Sequence, residues 1–367
     1  MTASISSPCS EALSELPTPA LIVDLDKLES NLERMQARAG DLSVRLRPHV
    51  KTHKCVEIAQ LQLEAGAVGI TVSTLYEAEV FAGAGFEDIT WAFPLILSRV
   101  GQAARLSRRI RLGVTVDSPQ AVAALTASGE RFHVWMKVDC GYHRAGVDPV
   151  SGAPLRLAAD IEAGGHELVG LLSHSGNAYD ERTLAGRAAV AEAERERITT
   201  LAGRLRAAGF EVPELSVGST PGMTAVAHLA GVTEMRPGNY AYFDRTQVGL
   251  GSCAVADCAL TVLASVVSCQ ADHCVIDAGA LALSKDSGPA DSVMGGVFVD
   301  ATSGELDEEL VVTSLSQEHG KLNAPLPVGT RVRVLPNHSC LAAACFDQMV
   351  GVRGEEVVAS WRVWNGR

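Results

Sequence analysis

From Pro19 to about Tyr240 the chain repeats one unit, a short β-branched run followed by a longer helix-patterned stretch. "ALIVD" (20–24) leads into 25–38, "LSVRLRPHVK" (42–51) into 55–65, and "VGITVST" (68–74) into 75–82. The pattern continues through "DITWAF" (88–93), "LGVTVD" (112–117), "FHVWMKVD" (132–139), "ELVGLLSH" (167–174), "ELSVGST" (214–220) and "TEMRP" (233–237), with 182–208 the longest helical stretch. Strand–helix units of this length imply a parallel sheet, because a parallel return needs a crossover that usually runs as a helix. Eight or nine such units favour a closed (β/α)8 TIM-type barrel of roughly 220 residues over an open sheet. After Tyr242 the helical periodicity nearly vanishes and short β-rich runs follow, among them 259–268, 273–279, 295–300, 309–316, 331–336 and 355–363. The expected organisation is an N-terminal arm (1–18), a barrel (19–244) and a second, mostly antiparallel β domain (245–367).

Charge narrows the function. A formal net charge of −12, with no long Lys/Arg run, leaves no basic face to neutralise nucleic-acid phosphates. The longest apolar run, 258–269, falls short of the roughly 20 residues that span a bilayer. Nine cysteines without CxxC spacing, behind an opening that lacks a basic n-region and an apolar h-region, point to reduced thiols in a cytoplasm.

One stretch stands out against that acidic background. "LRPHVKTHK" (46–54) gathers Arg47, His49, Lys51, His53 and Lys54 at the end of a strand. Strand alternation places Arg45, Arg47, His49 and Lys51 on one face, so that in a barrel they point into the lumen and Lys51 stands at the C-terminal mouth. Neighbouring cations and lost solvent would lower the pKa of such an amine, and a neutral amine can form an imine. The alternative is a set of interior residues paired with carboxylates, or a solvated rim cluster. Further along, "SVGSTPG" (216–222) supplies Gly218, Ser219 and Thr220, and "RPGNYAYFD" (236–244) supplies Gly238 and Asn239. Loops after the seventh and eighth barrel strands recurrently bind phosphate, although a lone Gly-Ser-Thr is more often a turn or cap. An imine-forming lysine with a phosphate cradle opposite is what pyridoxal phosphate needs at its two ends.

Here the chain resembles the D-serine dehydratase and D-threonine aldolase family, relatives of alanine racemase among the fold-type III pyridoxal phosphate enzymes. The resemblance rests on "TPALIVDLDKLESNLERM", "LRPHVKTHK", "KVDCGYHRAGV" (137–147), "SVGSTP", "RPGNYAYFD", "SLSQEHG" (314–320) and "PNHSC" (336–340). It implies that Lys51 carries pyridoxal 5'-phosphate as an imine. It further implies that the Gly218-Ser219-Thr220 and Gly238-Asn239 loops hold the phosphate, that Tyr179 lines the pocket and that Arg144 contacts the ring oxygen, the alternative for Arg144 being a pair with Asp139 or Asp148. In that family a second His often stands where this chain has Asn177, so no acid–base role is assigned there.

His338 and Cys340 stand two apart after a β run, and on an extended backbone both would point to one face. Imidazole and thiolate suit a zinc-like ion, yet HxC alone is more often a buried His beside a small thiol. The resemblance implies a divalent metal at this pair, zinc first, with manganese or magnesium as the other ions. The His-x-Cys form is similar to the dehydratases, the aldolases more often carrying His-x-Asp. The function implied is a lyase of D-3-hydroxy amino acids: β-elimination of water, giving pyruvate and ammonia from D-serine, or dehydration of D-threo-3-hydroxyaspartate. Lys51 is the first candidate for the Cα proton, and His174 is a further proton carrier or a locally bonded strand-end residue. Retro-aldol cleavage to glycine and an aldehyde is the alternative, followed by an amino-acid racemase or a non-catalytic cofactor-binding protein. Family dimers imply a homodimer, with His319 reaching a neighbouring site or sitting in a turn.

Overall fold

The computed structural model describes residues 13–288, 293–298 and 306–366, and divides the chain into two compact units. One unit comprises Met35–Lys51 and Ala59–Gly238 with the last residues of the chain. The other comprises the N-terminal segment to Arg34, Thr52–Ile58 and Asn239–Asn365.

The first unit is the barrel. It has eight strands, Arg45–Leu46, Ile70–Val72, Asp88–Pro94, Arg111–Val116, His133–Lys137, Glu167–Leu172, Glu214–Val217 and Glu234–Met235, of which the second to the eighth pair in parallel with their sequence neighbours. The last returns to the first through Arg45↔Glu234 and Leu46↔Met235. The seam between first and second strands closes at His49↔Thr71, where Thr71 N–H donates to Pro48 C=O at 2.8 Å. Apolar residues on the strands and inner helix faces exclude water, with Ile70, Ile89, Leu112, Val114, Val134 and Leu171 fully buried.

The second unit is a nine-stranded sheet. Six antiparallel strands, Leu260–Cys269, Cys274–Ile276, Gly320–Leu322, Asp307–Leu315, Gly295–Phe298 and Arg331–Pro336, close on themselves because Leu260–Cys269 pairs with both Cys274–Ile276 and Arg331–Pro336. Three more strands, Ala20–Asp24, Gln348–Arg353 and Glu356–Arg362, extend that sheet, the first two pairing in parallel.

Two sequence expectations change. The opening strand 20–24, counted there with the barrel, pairs Ala20↔Leu263 and Ile22↔Val350 in the β unit, which leaves eight of the nine expected units to the barrel. The described end of the arm is not free either: Leu13 and Leu16 pack on Ile22, Leu263 and Val352, and Leu13 N–H donates to Glu355 C=O. Residues 1–12 of the expected arm, and parts of the expected strand 295–300, lie outside the described residues.

The barrel floor is a charge ladder. Arg47 is 3% exposed and bonds Glu234 through Nε (2.9 Å) and Asp88 through NH1 (2.7 Å). Burial alone would depress its pKa, but Glu234 and Asp88 together raise it. Glu234 also accepts from Ser216 Oγ, and Arg236 donates to Ser216 Oγ and Ser173 C=O, tying three strands together. Glu234→Ala strands part of a buried guanidinium and is expected to cost about 3–5 kcal/mol of unfolding free energy. A urea titration showing under about 1 kcal/mol would remove the ladder from the account.

Candidate active site

In the barrel unit the basic stretch does not run on as a strand. The regular ladder ends at Leu46; the Arg47 and His49 amides still donate to the Met235 and Pro237 carbonyls, but Pro48 supplies no N–H, and Val50–Thr52 turns as a 3-10 helix. The face alternation therefore holds only in part. Arg45 is exposed and pairs with Glu214 at the rim, while Arg47 is spent on the floor. His49 and Lys51 remain at the strand's C-terminal end, both half-buried. Among the described residues Lys51 Nζ makes no hydrogen bond or ion pair.

Around it stand neutral imidazoles. His49 is held well below the ordinary histidine range by its enclosure, then by the charges of Lys51 and Arg236. His174 is likewise lowered, by enclosure first and by Lys51 and Lys137 next. Its Nδ1 lies 2.9 Å from the Gly218 carbonyl, an acceptor, so Nδ1 carries the proton and Nε2 keeps its lone pair. The Tyr142 ring packs edge-on to His174 with centroids 5.8 Å apart, and the Arg144 guanidinium lies 4.8 Å from the Tyr142 centroid. Arg144 forms no ion pair with Asp139 or Asp148. Asp139 is occupied by the Gly141 and His143 amides and the His143 ring instead.

The turn after Glu214–Val217 is built of small residues. Gly218 has φ +121°, a conformation costly for any residue with a Cβ, which would also come within 3.0 Å of Met223 Cγ. Ser219 caps the helix Thr220–Ala225, accepting from Gly222 N–H, and its Oγ lies 3.3 Å from Ser175 Oγ. A Cβ on Gly222 would approach those two hydroxyls at 3.0 and 3.3 Å. Three buried hydroxyls, Ser175, Ser219 and Thr220, around such a turn fit a phosphate group. Gly218 N–H is not available to it, because buried Glu194 accepts that proton (3.3 Å) along with Ser173 Oγ (2.6 Å). Tyr179 is half-buried in the turn Gly176–Tyr179 that follows His174, and Asn177 Oδ1 there is buried without a partner. Gly238 ends the barrel unit's last loop.

In the β unit the His-x-Cys pair is not on extended backbone. His338 is the N-cap of a short helix, Ser339–Ala343, because Asp244 captures Ser339 through both its amide (2.9 Å) and its hydroxyl (3.2 Å). The two side chains still meet: His338 hydrogen-bonds the Cys340 thiol, and His338 Nδ1 lies 2.5 Å from Asp286. Burial would lower the His338 imidazole, yet the neighbouring Cys340 and Asp286 outweigh it and push it up to about 11. Cys340 Sγ also donates to Thr52 Oγ1 at 3.3 Å, Thr52 being the residue after Lys51. Asn239, expected at the phosphate, turns its amide here instead. Nδ2 donates to Asp244 (2.6 Å) and Ser339 (3.0 Å), and Oδ1 is buried without a partner.

An imidazole and a thiol side by side, with a carboxylate at the imidazole Nδ1, form a donor set that suits a divalent ion of the zinc type. Among the described residues no group of three His, Cys, Asp or Glu side chains is placed to hold a metal, so this pair would leave coordination positions open. His319 is exposed in the turn between Asp307–Leu315 and Gly320–Leu322, its carbonyl accepting from Ser316 N–H. The sequence reading passed over Glu194, Lys137, Asp286, Asp244 and Thr52. Lys137 and Asp244 lie inside motifs it quoted, while Glu194 sits in a helix whose pattern gives no sign that a carboxylate is buried.

The family model for alanine racemase, N-terminal domain, matches residues 23–246, and the putative serine dehydratase domain matches 259–352. The D-threo-3-hydroxyaspartate dehydratase of Delftia sp. (strain HT23) is 41% identical, over 97% of this chain and 99% of that protein. The chain belongs to the D-serine dehydratase and D-threonine aldolase family. That is a family of pyridoxal phosphate-dependent, fold-type III enzymes. The D-serine dehydratase of Dictyostelium discoideum is 34% identical over 91% of this chain and 93% of its own length. The D-threonine aldolase of an Arthrobacter species is 32% identical over 96% and 93%. The solved Delftia dehydratase superposes with a TM-score of 0.94 at 40% identity, covering 97% of this chain and 100% of that one. A cysteine-to-alanine form of the same enzyme, solved metal-free, gives 0.93. Alanine racemase of Bacillus anthracis, at 16% identity and a TM-score of 0.72, shares the fold. Among the described residues no helix is long and apolar enough to cross a membrane.

Proposed function

We propose that this chain is a dehydratase of D-3-hydroxy amino acids, removing water across Cα and Cβ of D-threo-3-hydroxyaspartate or D-serine with release of a keto acid and ammonia. The observation that carries the reading is the contact of Cys340 with His338, the thiol form of a metal pair, in a chain 41% identical to a dehydratase along nearly its whole length. Lys51 would hold pyridoxal 5'-phosphate, with Ser175, Ser219 and Thr220 at its phosphate and Gly218 and Gly238 giving the backbone room to approach. Tyr179 would line the pocket, and Arg144, free of carboxylates, would face the ring oxygen. His338 and Cys340 would hold zinc, or else manganese or magnesium. When bound, the cofactor supplies an electron sink for charge at Cα, and the metal supplies Lewis acidity toward a leaving oxygen.

The protein's own groups do the rest. The Lys51 amine, near two imidazoles whose enclosure keeps them uncharged, takes the Cα proton. His174, its Nδ1–H locked onto Gly218, offers Nε2 as a second proton acceptor in a fixed orientation. The Asp244 carboxylate anchors the turn that presents His338 and Cys340. A second base across the cofactor, which racemisation would need, has no tyrosine candidate in the β domain (245–367), since no tyrosine follows Tyr242. A homodimer in the cytoplasm belongs to the same reading, and the described cysteines, all free thiols, support a reducing compartment.

The test is a screen of D-serine, D-threonine, D-threo-3-hydroxyaspartate and D-phenylserine, with and without chelator, following keto acid and glycine together. Keto acid with ammonia is expected. Glycine with an aldehyde would make the chain an aldolase, and neither product would return it to a cofactor-binding role.

A further inference from the structure

Lys137 ends the strand His133–Lys137 and is 6% exposed, a burial that lysine rarely tolerates without a counter-ion. The register Lys137↔Leu172 and Leu172↔Ser216 puts its side chain on the same face as Ser216, whose hydroxyl bonds Arg236 and Glu234 inside the barrel. It therefore lies two residues along the strands below the level of His174 and Gly218. Among the described residues its amine makes no hydrogen bond or ion pair. Inside the barrel Glu234 binds Arg47, and Glu194 accepts from Ser173 and Gly218 through Oε1, while its Oε2 is buried with no partner among the described residues, so Glu194 acts on the amine without bonding it. Burial first, then Arg236 and Arg144, bring the amine down to about 7, against the opposing pull of Glu194. A buried amine ringed by cations is unfavourable until an anion joins it, and an unpaired polar group of this kind marks a binding position.

We propose that Lys137 is an anion-binding residue of the barrel interior, taking an oxyanion of the bound cofactor–substrate pair at a point separate from the Ser219 turn. The inference rests on the cofactor reading given above. Two oxyanions have the required chemistry, the cofactor's phenolate and the substrate's carboxylate, and the experiment separates them.

Wild type, Lys137→Met and Lys137→Arg are stripped of cofactor. The stripped proteins are titrated by fluorescence quenching with pyridoxal phosphate and with its analogue lacking the phenolic hydroxyl. The reloaded proteins are titrated with D-serine and D-serinamide, following the visible band. Loss of one charge-assisted hydrogen bond predicts a weakening of about tenfold or more in one arm for Lys137→Met, largely restored by Lys137→Arg. Weaker pyridoxal phosphate binding with the analogue unchanged identifies the phenolate. Weaker D-serine binding with D-serinamide unchanged identifies the carboxylate. Unchanged affinities, or an equal loss for all four ligands, overturn the assignment. A wild type that binds no pyridoxal phosphate refutes the underlying reading instead, and borohydride labelling of Lys137 in place of Lys51 overturns both.

Discussion

Lys51→Ala, purified and supplied with pyridoxal phosphate, is expected to show no borohydride-stable label at position 51 and to lose turnover by at least about 10³-fold, the upper range for loss of a general base. The size follows from two roles lost together, since the same amine would anchor the cofactor and take the Cα proton. Stability should hardly move. Lys51 Nζ has no hydrogen bond to a described residue, so truncation leaves no partner unsatisfied, and the stripped variant should melt close to wild type. That separation matters, because a variant inactive through misfolding would lose both. Keto acid release at the wild-type rate would end the assignment, as would reductive trapping at another lysine with full activity. Lys137, the other unbonded amine in this unit, is the natural control.

How far the sequence disclosed this fold depends on the range of the interactions involved. The barrel strands were legible because most lie in short apolar runs with a helix before the next strand, and sequential units pair with one another. The exception was 20–24. Its composition marks a strand, but its partners, Leu263 and Val350, lie more than two hundred residues away, and local pattern carries no information about such pairing. The basic stretch was misjudged for a related reason: strict alternation assumes that a regular strand continues, and here only single contacts at Arg47 and His49 carry on past Leu46 before Lys51 enters a 3-10 turn.

For the site, residue types were legible and partners were not. His174, Ser219 and Cys340 lie in contacts that the sequence offered as alternatives to a role in function, a locally bonded imidazole, a capping hydroxyl and a thiol beside an imidazole. Asn239 shows the limit. Its neighbour Gly238 ends the barrel unit, while its own amide is spent on Asp244 and Ser339 of the β unit. Glu194 and Asp286 were invisible because a carboxylate's burial or its grip on a distant histidine is decided by packing. Glu194 is fully buried, and Asp286 meets His338 across more than fifty residues.

Cys340→Ala gives the second large effect. Hydroxide is a poor leaving group, and a Lewis acid on the departing oxygen is worth several kcal/mol, so turnover is expected to fall by roughly 10²–10³-fold when the thiol is removed. The visible band should persist, because Lys51, His174 and the Ser219 turn belong to the barrel unit and Cys340 belongs to the other. Chelation of wild type should reproduce the loss, and adding back zinc, manganese and magnesium separately would rank the ions by recovered keto acid. Asp286→Asn keeps both His338 and Cys340 but weakens the hold on the imidazole, so metal affinity should drop by about 10–100-fold, with activity recoverable at higher metal. Metal content measured by mass spectrometry on each protein links the two observations. If Cys340→Ala binds no metal and still releases keto acid at the wild-type rate, the imidazole–thiol pair has no part in the chemistry, and the choice of dehydratase over aldolase loses the residue on which it was made.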